Sequence, residues 1–235
     1  GDEGPLFSQR CERPVEALPH FAESSLLFEP GTRYRYSSYG WILVSAAIEA
    51  AADKPFLTFM REQIFEPLGM SDTRPDSATE PIPERVTFYF PRFAADPTYG
   101  LHLMRHLDYS CYAGASVFLS TPSDLVRFAI GMNSGKLLQH NTLQLIQTSQ
   151  RLASGEETGY GLGWDIETVT AAGKQTRVVG HDGETLGGMV ASLLTFPEQQ
   201  IVVSVISNIS YADTFNLAVK VAQAFAEQGE APARD

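Results

Sequence analysis

The sequence predicts an α/β sandwich, in which an antiparallel sheet is covered by helices and adjoins a mainly helical region. Three observations support this prediction: helical spacing of apolar residues in the first half, two apolar strand segments joined by a short turn after residue 188, and an amphipathic segment near the end. Segregated helices and antiparallel strands are typical of such layered folds. We expect a helical and loop region at about residues 28–150, and the sheet with its last helix at about residues 158–228.

The first part of the chain is predicted to be irregular and then helical. Prolines interrupt residues 1–30, and residues 29–32 have the composition of a turn. The helix that follows is expected to be capped by Ser37 or Ser38. Its apolar residues recur at helical spacing, at positions 42, 43, 46, 47 and 50.

Two more helices are expected on either side of a loop region. Phe56–Phe65 repeats the helical spacing and should end before Pro67. Residues 70–110 lack periodicity, which indicates loops and short strands. Ser120–Asp124 combines a hydroxyl cap with a proline in the first turn, and Gly135 is expected to close the helix that begins there. Its expected apolar face consists of Leu125, Phe128, Ala129 and Met132.

The last third is predicted to form the sheet. Residues 160–170 and 175–180 are candidate strands, and residues 189–196 and 201–207 form an expected antiparallel hairpin around Pro197–Gln200. The two hairpin strands are nearly continuous apolar runs, so both of their faces should be covered by helices. Residues 213–226 are amphipathic and can cover one face.

Composition excludes several classes of function. The chain has 28 acidic and 17 basic residues, a net charge of −11, which makes it a poor binder of nucleic-acid phosphates. No apolar stretch has the ~18 residues that a membrane helix needs. The only cysteines, Cys11 and Cys111, match no metal spacing and can pair only if folding brings them together. Cysteine use therefore does not set the compartment, and residues 1–10 do not resemble a signal peptide.

Most short motifs give no functional prediction. His102 and His106 have the spacing of a helical metal pair, but Leu103 follows the first histidine and no third ligand is indicated, so we interpret them as solvated or loop histidines. A G-x-S-x-G nucleophile motif and a phosphate-binding loop are absent from the sequence. Gly159–Trp164 alternates glycines at the start of a strand, which argues against a dinucleotide site. No cofactor or metal is predicted.

Two segments are more informative. Tyr36-Ser37-Ser38 places a phenol and a hydroxyl at the start of a helix. Gly180-His181-Asp182-Gly183 sets a histidine between glycines at a strand end, which would leave its ring uncrowded and let a substrate approach the backbone. Each segment taken singly also has a structural interpretation, a core tyrosine for Tyr36 and a turn residue for His181.

The order of these segments resembles the serine β-lactamase-like family, which includes class C β-lactamases, low-molecular-weight penicillin-binding proteins, related esterases and LACTB-type proteins. That family carries S-x-x-K, then Y-x-N or Y-x-S/T at a helix start, then K-T-G or H-x-G on a strand. The chain is most similar to LACTB-type members, which also use a His-x-Gly third motif. The segments that agree, in the family's order, are Phe28–Thr32, Tyr36–Gly40, Glu66–Met70, Gly114 with Phe118–Thr121, Tyr160–Trp164 and Gly180–Gly183.

The resemblance implies an acyl-transfer site, in which a serine attacks an amide, ester or peptide carbonyl and forms an acyl-enzyme. It implies that Tyr36 shuttles a proton and that Ser38 holds substrate or orients the paired lysine. It also implies that His181 replaces the usual lysine and lines the cleft. The backbone N–H of Glu184 would then be an oxyanion-hole donor, with Asp182 and Gly183 beside the substrate.

The departures from the family pattern limit this interpretation. Asp182 stands where a hydroxyl residue is usual, which should weaken the binding of an anionic carboxylate and disfavours a β-lactam substrate. The motif S-x-x-K is absent, because Ala51, Asn133, Ala171 and Leu217 lie three residues before the four lysines. We therefore expect the chain to be the C-terminal part of one β-lactamase-like domain.

Two hypotheses follow about function and partners. In the first, the chain is part of a serine hydrolase whose nucleophile motif lies outside it, so that the chain alone is inactive and its partner is the N-terminal half. The second is a non-catalytic binding or self-assembling module, which the filaments of LACTB relatives make credible. The family also implies a periplasmic or extracytoplasmic location. A small molecule or peptide is the expected substrate, and neither nucleic acid nor a membrane span is expected.

Overall fold

The structure is a computed structural model that describes residues 4–91, 97–171 and 173–230. In chain order its α-helices are α1 (Ser38–Ala52), α2 (Phe56–Met60), α3 (Glu66–Leu68), α4 (Pro122–Asn133), α5 (His140–Ile146) and α6 (Thr214–Glu230). The strands are β1 (Arg74–Pro75), β2 (Tyr89–Pro91), β3 (Leu101–Leu103), β4 (Phe118–Leu119), β5 (Asp165–Ala171), β6 (Lys174–Glu184), β7 (Val190–Phe196) and β8 (Ile201–Ser207). The described helices include none long and apolar enough to cross a membrane.

The chain divides into two compact units. The first comprises residues 1–86 and 105–124, and the second comprises residues 87–104 and 125–235. In the first unit, helices and short 3-10 turns pack around the β1–β4 pair. In the second, the antiparallel sheet β5–β6–β7–β8 is accompanied by the β2–β3 hairpin and by α4, α5 and α6. The fold class is therefore the predicted α/β arrangement.

Residues 1–30, predicted to be irregular, contain 3-10 helices at Gly4–Ser8 and Pro14–His20. A disulfide between Cys11 and Cys111 joins this segment to the 3-10 turn Ser110–Tyr112. Leu6 and Ala17 are fully buried, so the segment contributes to the core of the first unit. The turn predicted at residues 29–32 is present, with the N–H of Thr32 donating to the carbonyl of Glu29.

Helix α1 is capped by Ser37, whose side chain accepts a hydrogen bond from the N–H of Gly40. Its buried face differs from the expected one: Ile42, Ser45 and Glu49 are buried, whereas Leu43 is 53% exposed. Two polar residues can occupy this face because each has partners. Ser45 donates to backbone carbonyls of its own helix and of Ala113, and Glu49 accepts from Arg13 and from the N–H of Phe56.

The second helical segment was predicted to end before Pro67, but it continues beyond that residue. Helix α2 runs into a π turn at Arg61–Phe65 and then into α3, which ends at Leu68. Pro67 is the second residue of α3, which follows the π turn directly. The glycine after this helix, Gly69, adopts a left-handed conformation and forms the cap.

The hairpin of β7 and β8 has the predicted position, with Phe196 opposite Ile201. Helix α6 covers one face of the sheet, packing Ala218, Val219 and Ala222 against an apolar layer. On the opposite face of β6, Val179 packs in a second cluster with Met132 of α4, Leu143 of α5 and Trp164. The layer beneath α6 consists of Val178, Leu194, Phe196 and Val203.

Two features of the second unit differ from the sequence prediction. Strand β6 continues through Glu184, because Asp182 and Gly183 pair with Ser192 and Ala191 of β7 instead of turning. Residues 160–164 lie outside β5, which begins at Asp165, and only an isolated bridge joins Tyr160 to Asp165. Helix α5 was not predicted.

Candidate active site

His181 lies near the end of β6, and both of its ring nitrogens have close neighbours. Since side chains alternate along a strand, His181 lies on the same face as Val179, opposite the face covered by α6. Its Nε2 is 3.1 Å from the hydroxyl of Tyr160, and its Nδ1 is 2.5 Å from the carbonyl oxygen of Asp182. The two rings meet edge to face, with centroids 5.8 Å apart.

This geometry sets the tautomer of the neutral histidine. A carbonyl oxygen can only accept a hydrogen bond, so Nδ1 carries the hydrogen that points to Asp182. In the neutral ring Nε2 is then an acceptor, and the Tyr160 hydroxyl donates to it. His181 is therefore held at both nitrogens by neighbours in its own unit.

Carboxylates lie close to the histidine. Asp165 Oδ2 is 4.0 Å from His181 Nδ1, and the Asp165 carboxylate accepts the backbone N–H of Asp182. Partial burial raises the pKa of Asp165 above its ordinary value, and the charge of Asp182 adds to this, while His181 opposes it. The pKa of Glu167, two residues along β5, is also raised, mainly by burial and then by the charges of Asp165 and Asp182. The histidine thus lies in a region of negative charge.

The two glycines beside His181 have different roles. A β-carbon at Gly180 would overlap the carbonyl oxygen of Leu193 and lie 2.6 Å from a methyl group of Leu194, so sheet packing requires glycine there. A β-carbon at Gly183 would meet no atom within 4 Å. The open backbone expected from the sequence is therefore found at Gly183, whereas Gly180 is required by the core.

The backbone N–H of Glu184 points away from β7. In an antiparallel ladder, successive residues direct their N–H groups to alternate sides, and the N–H of Thr185 donates to Met189 on the β7 side. Consistent with this, the N–H of Asp182 points to the β5 side, where it donates to Asp165. The pairing with β5 ends at Gly180, so the N–H of Glu184 lies on this edge beyond the end of β5. The Glu184 carboxylate accepts the N–H of Tyr211.

Tyr36 and Ser38 belong to the first unit. Tyr36 precedes the N-cap Ser37 by one residue and is 45% exposed, and Ser38 is the first residue of α1. The helix start that the sequence predicted at this point is thus confirmed. The other predicted site residues, 181–184, are consecutive on β6 in the second unit.

Tyr160 and Asp165 were not among the predicted site residues. Tyr160 lay in the glycine-alternating segment that was interpreted as the start of a strand. Its contact with His181 spans 21 residues and depends on the turn before β5, which no short spacing indicates. A backbone bridge joins Tyr160 to Asp165. Tyr160 lies near Nε2 of the His181 imidazole, and Asp165 lies near Nδ1.

His102 and His106 lie in different parts of the fold. His102 lies on β3 of the second unit, whereas His106 belongs to the first unit, where its Nε2 donates to the buried carboxylate of Asp76. Arg85 donates to the other ring nitrogen and to the same carboxylate. His106 therefore lies in a loop, as expected, and takes part in an ion-pair cluster with Arg85 and Asp76. Within the described ranges, no three His, Cys, Asp or Glu side chains are grouped as metal ligands.

The antiparallel sheet with helices on its faces is the fold class that the resemblance implied, and comparison with known proteins agrees. The family model described as Beta-lactamase matches residues 5–227, and the chain belongs to this family. The mitochondrial serine beta-lactamase-like protein LACTB of Bos taurus is 26% identical over 264 residues, which covers 95% of this chain and 46% of that protein. Penicillin-binding protein 4* of Bacillus subtilis is 29% identical over 66% of this chain and 36% of its own length.

Solved structures support the fold. The D-amino acid amidase of Ochrobactrum anthropi SV3 superposes with a TM-score of 0.78 at 22% identity, covering 96% of this chain and 67% of that one. An octameric penicillin-binding protein homologue from Pyrococcus abyssi gives a TM-score of 0.73 at 21% identity, covering 92% of this chain and 48% of that one. The chain spans less than half the length of these curated relatives.

Proposed function

We propose that this chain is part of a serine hydrolase that cleaves a peptide, ester or amide through an acyl-enzyme. The observation that carries the proposal is the end of β6, where a doubly held His181 is followed by an open Gly183 and by the outward N–H of Glu184. These are the features that an H-x-G strand needs to hold an acyl group beside a serine. Membership in the Beta-lactamase family supports the same reaction class.

We further propose that the nucleophilic serine and its paired lysine lie outside these 235 residues. None of the four lysines has a serine three residues before it. The curated relatives are matched over less than half of their length, which leaves room for an S-x-x-K segment elsewhere in such proteins. The partner in this proposal is therefore the polypeptide segment that carries that motif.

Three of the predicted residues act directly in this reaction. Tyr36 accepts the proton of the serine as it attacks the carbonyl and returns it to the leaving group. Ser38 orients the paired lysine or the substrate by hydrogen bonding. The N–H of Glu184 stabilises the oxyanion of the tetrahedral intermediate, a contribution that is usually large because the donor is fixed in advance. Water then hydrolyses the acyl-enzyme through the same proton path.

The charge around β6 indicates the kind of substrate. Asp165, Glu167 and Asp182 are close enough for their charges to affect one another. An anionic carboxylate on the substrate would be repelled there, so we propose that neutral or cationic esters and amides are preferred over β-lactams. The D-amino acid amidase among the structural neighbours was solved in complex with L-phenylalanine amide, an amide that carries no carboxylate.

The test combines this chain with a segment carrying S-x-x-K. The chain alone should not react with a fluorophosphonate probe or hydrolyse p-nitrophenyl esters, and the combined protein should do both. Tyr36→Phe should then lower kcat about a hundredfold or more, the usual scale for a proton-transfer group. Tyr34→Phe is the matched control, since Tyr34 and Tyr36 are 44% and 45% exposed.

Two results would contradict the proposal. Serine acylation of the isolated chain would show that the nucleophile lies within it. A combined protein that folds but neither reacts with the probe nor turns over any ester would support the alternative, a non-catalytic binding or self-assembling module. In that case the octameric homologue would be the more relevant comparison.

A further inference from the structure

Tyr160 is held rigidly next to His181. Its carbonyl accepts the N–H of Gln150, and its N–H donates to the hydroxyl of Thr158, which in turn donates to the Tyr160 carbonyl. The residue after it must be glycine, because a β-carbon at Gly161 would overlap the carbonyl oxygen of Ile146. Tyr160 itself is only 7% exposed. Its hydroxyl therefore has a fixed position before any substrate binds.

The contact with His181 is specific for a hydroxyl group. The edge-to-face packing of the two rings would be kept by phenylalanine, but the hydrogen bond of 3.1 Å to Nε2 would not. Tyr160→Phe would remove the bond at Nε2 and keep the one between Nδ1 and the Asp182 carbonyl. Two bonds at opposite nitrogens restrict the rotation of the ring more than one does.

We propose that Tyr160 is a positioning residue of the acyl-transfer site, whose hydroxyl donates to Nε2 and so fixes the orientation of the His181 imidazole, the Nδ1 hydrogen of which is bound by the Asp182 carbonyl. This inference rests on the proposed function for its catalytic consequence. The charged groups near the ring are Asp165 on β5 and Asp182 on β6, while Leu193 of β7 lies opposite. The Tyr160 hydroxyl supplies the hydrogen bond at Nε2.

The first test uses the ring nitrogens of His181 in the intact chain. Nitrogen-15 spectra of the imidazole, recorded where the ring is neutral, should show Nδ1 protonated and Nε2 as a hydrogen-bonded acceptor. In Tyr160→Phe the Nε2 resonance should shift towards that of a free acceptor, while Nδ1 keeps its proton. Tyr99→Phe, in the same unit, is the control and should leave both resonances unchanged. An Nε2 resonance that is the same in Tyr160→Phe and wild type would overturn the proposal.

The second test measures the consequence in the protein combined with its S-x-x-K segment. Tyr160→Phe should lower kcat about fivefold to tenfold with little change in KM, the scale of one neutral hydrogen bond. An unchanged kcat would overturn the positioning role. If the combined protein has no activity at all, the proposed reaction is wrong, and the Nε2 measurement still decides whether Tyr160 positions the ring. If Tyr160→Phe fails to fold, the wild-type spectrum still decides, because an Nε2 resonance at the position of a free acceptor would overturn the proposal.

Discussion

Gly114 packs directly against the backbone of helix α1 at Trp41. A β-carbon at position 114 would overlap the Trp41 carbonyl oxygen and lie 2.7 Å from the β-carbon of Ser45. The Ser45 hydroxyl donates to the carbonyl of Ala113, so the loop and the helix are also joined by a buried hydrogen bond. This close approach fixes the loop next to helix α1, which begins at Ser38, two residues after Tyr36.

The first prediction separates this crowding from backbone strain. Gly114 and Gly155 both have a φ of +87°, but a β-carbon at Gly155 would meet no atom within 4 Å. Gly155→Ala should therefore cost only the left-handed strain, about 1 kcal/mol, whereas Gly114→Ala adds overpacking and should cost about 3 kcal/mol or more. Urea unfolding of both variants measures the difference. Equal losses would show that the loop moves freely away from α1.

The second prediction concerns the disulfide, whose cysteines are 100 residues apart. Cross-linking a loop of this length restricts the unfolded chain, so replacing both cysteines by serine should lower the free energy of unfolding by about 2–5 kcal/mol. Chemical denaturation with and without reductant checks this on the wild type. The double serine variant should show no response to reductant. Two free thiols titrated in unreduced, unfolded protein would contradict the pairing.

Local signals in the sequence predicted the elements whose stabilising contacts are local. Ser37 as a helix cap and the β7–β8 hairpin around Pro197–Gln200 follow from short-range chemistry, and both are present. The prediction of the buried face of α1 was wrong, because the sequence alone indicates that a glutamate at position 49 faces solvent. Only the distant Arg13 and the N–H of Phe56 make its burial favourable.

The sequence predicted the motif of the candidate site but not the residues that surround it in the fold. The segment Gly180–Gly183 identified His181. Its two glycines suggested that the strand ends there, but β6 continues because these residues pair with β7. Tyr160 and Asp165 could not be identified, since their proximity to His181 results from the turn before β5. The disulfide partner of Cys11 was likewise left open by spacing alone.

The third prediction follows from the raised pKa of Glu167. A carboxyl whose pKa is higher in the folded state than in the unfolded state binds protons more tightly when folded. Stability is then lost as the pH rises from the ordinary glutamate value through the raised one. Glu167→Gln should therefore stabilise the chain at pH 7, by a few tenths of a kcal/mol at most because the side chain is exposed.

Thermal melting across the acidic range checks this. The gain from Glu167→Gln should disappear as the pH falls below the ordinary glutamate pKa of about 4.3, where both states are protonated. Glu198→Gln, in the turn after β7, controls for the loss of one negative charge from this acidic chain. A variant that melts below wild type at pH 7 would show that the Glu167 carboxylate is stabilising.

The last prediction concerns the outer edge of β8. Among the described residues β8 pairs with β7 on one side, and no strand is paired along its other side. Residues 201–206 are apolar apart from Ser204, and neither a charge nor a proline interrupts them. Such an edge favours the addition of another strand. We therefore expect the isolated chain to self-associate, or to bind the segment that supplies S-x-x-K.

Sedimentation of the purified chain at tens of micromolar should give an average mass above 25.8 kDa that rises with concentration. Ile206→Lys places a charge on this strand at a side chain that is 36% exposed, so the fold should tolerate it while association falls. Leu145→Lys, at a 60% exposed position on α5, is the matched control and should sediment like wild type. Addition of the S-x-x-K segment should compete with self-association, because both would occupy the same edge. A monomer whose amides 201–207 resist hydrogen exchange would mean that the edge is already covered from within the chain, and the proposed partner segment would then lose its binding site.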